Sequence, residues 1–161
     1  MIQFGIDVEC ARRFQSLHGK RVGLIVNPTS VDRHFRHLID LLIDVKEVDV
    51  AMLYGPEHGI RGEAQYMVSV DNEARDRRTG LPVQSLYGSS FDSLTPAASS
   101  LEKLDALVFD IQDIGSRYYT YIYTMALAMK AAAKAKIAFY VFDRPNPIGL
   151  GLVEGNLVGD R

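Results

Sequence analysis

A loop over residues 55–62 combines the side chains in this chain that are best suited to chemistry. It has the sequence Gly-Pro-Glu-His-Gly-Ile-Arg-Gly and follows an apolar run, residues 48–54. Proline and three glycines interrupt both a strand ladder and a helix, so this segment is predicted to be a hinged loop. Glu57 and His58 can transfer protons near neutral pH when they are partly buried, and Arg61 offers a two-pronged fork for a carboxylate or phosphate. The alternative is a surface turn in which His58 orients its neighbours and Arg61 forms an internal ion pair with Asp110, Asp113 or Glu57.

Similar polar clusters follow three other apolar runs. Asp110 and Asp113 come after one of them, and their alternative role is to cap a helix that begins near Arg117. Arg117 is a second guanidinium fork, which can hold an anionic ligand or pair internally. The remaining candidates are Asn27, Asn146 within Asp143–Pro147, Glu154, and Tyr118 and Tyr119 from a dense group that also contains Tyr121 and Tyr123.

Several kinds of site are not supported by the sequence. The segment Asn27-Pro28-Thr29 stands where a glycine-rich phosphate loop would follow the first strand, and no Gly-x-Ser-x-Gly elbow occurs. A metal site from Glu57, His58 and Asp110 stays open as an alternative, although clusters so poor in histidine are weak evidence. We therefore expect neither a cofactor nor a metal.

The composition is ordinary for a globular domain. The chain has 161 residues, of which 47% are hydrophobic and 24% are charged, and its net charge of -2 does not favour nucleic acid or membrane partners. Its one cysteine, Cys10, cannot form an internal disulfide and is predicted to be a buried apolar residue. The N-terminus carries no export signal, so a cytoplasmic location is expected, with a periplasmic or extracellular one as the alternative.

Apolar runs that alternate with amphipathic segments predict the elements that position these residues. In the helix predicted over residues 31–44, Phe35 and Ile43 are expected to join Leu38, Ile39 and Leu42 on a stripe facing the core. Residues 63–80 are polar and too long for a simple connection, which predicts a lid, a binding loop or a mobile excursion. Strands are predicted over 21–26, 48–54, 81–86, 105–109 and 137–142, and further helices over 7–18, 95–101 and 118–134.

Continuous apolar strands alternating with helices predict an α/β fold with a doubly wound, Rossmann-like, mainly parallel sheet and helices on both faces. The four polar clusters all stand directly after predicted strands. In a parallel sheet such ends lie at one edge, where open α/β sheets bind their ligands. The sequence therefore predicts a binding or active cleft at that edge.

Taken together, the motifs resemble a known family. They are NPTSVD at 27–32, GPEHGIRG at 55–62, TGLPV at 79–83 with SLYG at 85–88, FDIQDIGSRYYTY at 109–121, and DRPNPIG at 143–149 with VEG at 153–155. This series, in this order from about residue 19 to 155, resembles the NamZ-type exo-β-N-acetylmuramidases, once a domain of unknown function. The resemblance implies that residues 1–161 are a Rossmann-like N-terminal domain. It also implies a second, C-terminal domain that is absent from this chain, with the active site in the cleft between the two.

The resemblance implies a glycosidase that removes N-acetylmuramic acid from the non-reducing end of peptidoglycan fragments. Glycoside hydrolysis usually needs two carboxyl groups. By resemblance, Glu57 is the leading acid/base and Glu154 the second carboxylate, with Asp110 or Asp113 as substitutes. The other expected contacts are His58, Tyr118 and Tyr119 orienting the sugar, Arg61 or Arg117 holding its lactyl carboxylate, and Asn27 and Asn146 binding substrate. The alternatives are a domain that binds the sugar without cleaving it, and a metal-dependent hydrolase.

Overall fold

The computed structural model describes residues 2–57, 59–62, 75–88 and 90–156. His58 and most of the excursion predicted over 63–80 lie outside these residues. Five parallel strands form one sheet in the order β3-β2-β1-β4-β5, which confirms the predicted α/β fold. The strands are β1 (Arg21–Val26), β2 (Asp49–Gly55), β3 (Val83–Ser85), β4 (Ala106–Asp110) and β5 (Ala138–Val141). The helices are α1 (Gly5–Ala11), α2 (Leu38–Ile43), α3 (Ala98–Leu101) and α4 (Tyr121–Ala135), with 3-10 turns at Gln15–Leu17 and Phe91–Leu94.

Side chains alternate between the two faces of the sheet, and each face has its own apolar cluster. In β1, Val22 and Leu24 belong to the cluster covered by α1 and α2, whereas Ile25 belongs to the cluster covered by α3 and α4. In β4, Val108 and Phe109 divide in the same way. Because both faces are covered, the strands are continuously apolar rather than alternating with polar residues, which is the pattern that predicted them.

The helix predicted over 31–44 is wrong in its first half. Residues 31–37 form a tight turn closed by a bridge between Val31 and His37. The Asp32 carboxylate accepts hydrogen bonds from the backbone N–H groups of His34 and Arg36, both at 2.9 Å, and so competes with helix formation. Phe35 has a φ of 60° and cannot belong to a helix.

The predicted core stripe is also wrong in part. Leu38, Ile39 and Leu42 are fully buried, as predicted, but Phe35 and Ile43 are exposed. The first helix is likewise shorter than predicted, since Arg13 and Phe14 have positive φ values that separate α1 from the following 3-10 turn. Among the described residues, no helix is long and apolar enough to cross a membrane.

Candidate active site

The loops after β1, β4 and β5 are joined by hydrogen bonds at one edge of the sheet. The Ser30 hydroxyl donates to the backbone oxygen of Asp110. The backbone N–H of Gln112 donates to Thr29 Oγ1 at 3.0 Å, and its side-chain amide donates to the Pro145 oxygen at 2.9 Å. Because all strand pairs are parallel, the loop that carries Glu57 after β2 leaves the same edge. The predicted grouping of the polar clusters at the carboxyl edge is therefore confirmed.

Glu57 acts electrostatically on a buried tyrosine at this edge. It stands two residues after β2, is partly buried, and lies near enough to Tyr121, the first residue of α4, for its charge to raise the pKa of that phenol. Burial raises the pKa of Tyr121, a hydrogen bond with the Asn27 side chain opposes this, and the nearby Tyr119 and Glu57 add to the rise. The rings of Tyr119 and Tyr121 meet edge-on with centroids 5.1 Å apart. A carboxylate, an amide and two phenols thus share one corner of the edge.

Asn27 is held rigidly within this corner. Its Oδ1 accepts hydrogen bonds from the Thr29 N–H at 2.9 Å and the Thr29 hydroxyl at 2.6 Å, which orients the amide group toward Tyr121. The backbone oxygen of Asn27 accepts a hydrogen bond from His37 Nε2 at 3.0 Å, while His37 Nδ1 accepts one from the N–H of Ile39 at the start of α2. One donating and one accepting nitrogen make the ring neutral, and burial lowers the pKa of His37 in the same sense.

Asp110 forms a buried ion pair with Arg144, a residue that was not selected from the sequence. Arg144 Nε and Nη2 donate to the two carboxylate oxygens at 2.6 and 3.0 Å, and the side chains are 4% and 0% exposed. Nη2 also donates to the Val31 oxygen at 3.1 Å, and the guanidinium lies over the Phe4 ring. Burial raises the pKa of Asp110 to about 6 against the opposing effect of Arg144. Both carboxylate oxygens of Asp110 therefore bond to Arg144, and neither is directed at solvent.

Arg61 is also committed to internal carboxylates. Its Nε donates to Asp76 at 2.9 Å and its Nη2 to Asp40 at 2.9 Å. Burial raises the pKa of Asp76, but hydrogen bonds from Arg61 and Thr79 outweigh this effect and hold the pKa below its ordinary value. The internal ion pair considered for Arg61 is thus present, although with partners other than Asp110, Asp113 or Glu57.

The remaining predicted residues form an outer rim that is more exposed. Arg117 donates to the backbone oxygen of Asn156 and thereby ties down the exposed segment that carries Glu154. Tyr118 is largely exposed. Asp113 accepts a hydrogen bond from the Gly115 N–H at 2.7 Å, so it stabilises a turn rather than the N-terminus of α4. Asn146 stabilises its own turn by accepting from the N–H of Ile148 at 3.2 Å.

A metal centre finds no support in the part of the chain that the structure describes. No group of three or more histidine, cysteine, aspartate or glutamate side chains there is arranged to hold a metal ion. His58, which the metal alternative requires, lies outside those residues.

Comparison with known proteins agrees with the motifs and the fold. Residues 22–161 match the family described as "Exo-beta-N-acetylmuramidase NamZ, N-terminal". The chain is 45% identical over 157 residues to the Bacillus subtilis (strain 168) protein named "Peptidoglycan beta-N-acetylmuramidase NamZ". The match covers 98% of this chain and 37% of the relative's length.

Two crystal structures of DUF1343 family proteins from Bacteroides fragilis have the same fold. One superimposes with a TM-score of 0.87 at 49% identity, covering 98% of this chain and 38% of the other. The second gives a TM-score of 0.72 at 33% identity, covering 90% and 35%. The resemblance inferred from the motifs is confirmed, and the chain belongs to the NamZ N-terminal family.

Proposed function

We propose that the protein carrying this chain is an exo-β-N-acetylmuramidase that releases N-acetylmuramic acid from the non-reducing end of peptidoglycan fragments. The observation that carries the proposal is the setting of Glu57. This carboxylate is partly buried on a glycine-hinged loop at the carboxyl edge, and its charge acts on Tyr121, which hydrogen-bonds with the fixed amide of Asn27. The name of the Bacillus subtilis relative supports the choice of a peptidoglycan saccharide as substrate.

Glu57 is the group that transfers the proton in this proposal. Glycosidases protonate the leaving oxygen with one carboxyl group and assist the oxocarbenium-like transition state with a second one. Tyr121, which hydrogen-bonds with the Asn27 side chain, is the proposed positioning residue for Glu57, because the two side chains interact electrostatically at the carboxyl edge. Glu154 is the proposed second carboxylate, on the segment that Arg117 ties to the rim. Asp113 is the better substitute for it, since Arg144 occupies Asp110.

Substrate recognition is assigned to the exposed rim. The N-acetylmuramic acid ring carries a lactyl carboxylate, and a guanidinium fork suits such a planar anion. Arg117 is exposed and, among the described residues, its side chain hydrogen-bonds only to a backbone oxygen, whereas Arg61 holds two aspartates. We therefore assign the lactyl carboxylate to Arg117 rather than Arg61. Tyr118 and Tyr119 supply aromatic surface beside it.

The test is the Glu57→Gln variant of the complete polypeptide. Turnover of a chromogenic N-acetylmuramide is expected to fall about 10²- to 10⁴-fold, because the amide keeps the shape of the carboxyl group and cannot transfer its proton. The matched control is Glu102→Gln, an exposed glutamate at the end of α3, which should leave turnover unchanged. Circular dichroism checks that both variants are folded. Full activity of Glu57→Gln removes this residue from the mechanism.

The same assay separates the alternatives. Binding of the muramide by the wild-type complete polypeptide without release of N-acetylmuramic acid would favour a saccharide-binding protein. Release that a chelator abolishes and a divalent ion restores would favour a metal-dependent hydrolase.

A further inference from the structure

A concavity adjoins the loop that carries Glu57, because Arg61 from that loop lines it. It is a cavity of about 560 Å³ between the β1 loop, α2 and residues near Arg61 and Arg78. Pro28, next to Asn27, forms part of its wall. The volume lies within the range of small-molecule sites, roughly 300–1,000 Å³. None of the roles assigned above uses this cavity.

The aromatic ring of Phe35 lines this cavity. Phe35 is 87% exposed and has a φ of 60°, a left-handed conformation that is unfavourable for a bulky residue. The turn fixes the backbone around Phe35, since the buried Asp32 carboxylate accepts hydrogen bonds from the backbone N–H groups of His34 and Arg36. A solvent-exposed aromatic ring at the rim of a cavity is a surface on which a flat apolar ligand face can stack.

The polar wall of the cavity is electrically balanced. Asp40 accepts from Arg61 and Arg78, each at 2.9 Å. Arg36, the third guanidinium, pairs with Asp32 at 2.7 Å, and Asp44 adds a further carboxylate to the lining. The guanidinium groups are therefore neutralised by carboxylates, so an anionic ligand gains little and would meet Asp40 and Asp44. These groups instead offer fixed donors and acceptors to neutral hydroxyl and amide groups.

We propose that this cavity is a saccharide subsite that takes a neutral N-acetylhexosamine ring, the sugar on the leaving-group side of the bond that is cleaved. The ring stacks its apolar face on Phe35 and shares hydrogen bonds with Asp40, Arg36 and Arg78. This inference rests on the proposed function and adds that the protein grips the neighbour of the sugar it releases.

The experiment compares two substrates in the complete polypeptide. N-acetyl-β-muramyl fluoride has a single atom as its leaving group and does not reach the subsite, whereas the N-acetylmuramyl-N-acetylglucosamine disaccharide does. Phe35→Ala is expected to raise the KM for the disaccharide about tenfold, because the ring surface that the sugar covers on binding is lost, and to leave the fluoride kinetics unchanged. Phe35→Tyr keeps the ring and should restore the wild-type KM.

Phe91→Ala is the matched control, because Phe91 is also highly exposed and does not line the cavity. Equal effects of Phe35→Ala on both substrates, or an effect on neither, would overturn the subsite. If the wild type cleaves neither substrate, the proposed function fails, and calorimetric titration with the disaccharide then decides the subsite alone. Equal affinity of the wild type and Phe35→Ala in that titration overturns it, and an affinity about tenfold lower in Phe35→Ala supports it.

Discussion

At the residue scale, Arg144 decides how the polar loops are fixed to one another. Its guanidinium reaches the end of β4 through Asp110, the β1 loop through Val31, and the N-terminal segment through Phe4. Removing one member of a buried ion pair leaves the other charge in a medium that solvates it poorly. The pair is therefore more important to stability than the exposed pair of Arg21 and Asp49 on the neighbouring strands.

Arg144→Met is expected to lower the free energy of unfolding by about 3 kcal/mol near neutral pH, and Arg21→Met by less than about 1 kcal/mol. Burial already holds the pKa of Asp110 above the ordinary 3.8, and loss of the guanidinium raises it further. A carboxyl whose folded pKa is raised contributes stability below its unfolded pKa and loses it as pH rises through the folded pKa. For the wild type this loss ends near pH 6, whereas in Arg144→Met it continues above pH 6. Urea unfolding at pH 5, 6 and 8 should show a stability gap that widens with pH, and a constant gap would contradict this account.

At the element scale, α1 is fixed to the end of β5 through its first residue. The Gly5 N–H donates to the Asp143 oxygen at 2.7 Å. A Cβ on Gly5 would lie 2.5 Å from the Asp143 nitrogen and 2.6 Å from backbone atoms of Phe142, which cannot move as a side chain can. The helix can therefore approach this backbone only where a side chain is absent.

Gly5→Ala is consequently expected to lower the free energy of unfolding by roughly 1–3 kcal/mol. Gly151→Ala is the matched control, because a Cβ there meets no atom of the described residues within 4 Å. Thermal unfolding followed by circular dichroism measures both. Two variants of equal stability would show that α1 moves away from β5 without cost.

The elements also show how far sequence reasoning can reach. Continuous apolar runs such as β1 and β4 were recognised because burial on both faces leaves a clear local pattern. The turn at residues 31–37 was missed because the Asp32 carboxylate replaces helical hydrogen bonds, and apolar periodicity does not register that competition. The ion pairs of Arg61 and Arg144 were not assigned, since their partners lie 15 to 34 positions away and meet only once the sheet has formed. The sequence places Tyr121 in the tyrosine group without distinguishing it from its neighbours, because its orientation depends on where α4 begins.

At the scale of the whole molecule, the central strands of the sheet support the candidate site. β1 is flanked by β2 and β4, and every residue of β4 is buried. β3 and β5 are short edge strands, and none of their residues is fully buried. The loops that follow β1 and β4 therefore extend from the best-packed part of the molecule, which is how a rigid sheet positions functional loops.

Hydrogen exchange tests this gradient of stability directly. The amides of β1 and β4 are expected to exchange only through global unfolding, because no local opening exposes them without disrupting both apolar clusters. The amides of β3 and β5 should exchange sooner, since an edge strand has only one neighbour and these strands are less buried. Mass spectrometry of peptides over residues 21–26, 83–85, 106–110 and 138–141, at increasing urea, gives the order of opening. If β5 is as protected as β1, it opens only together with the centre of the sheet. The ion pair of Arg144 with Asp110 then belongs to the same cooperative unit as Asn27.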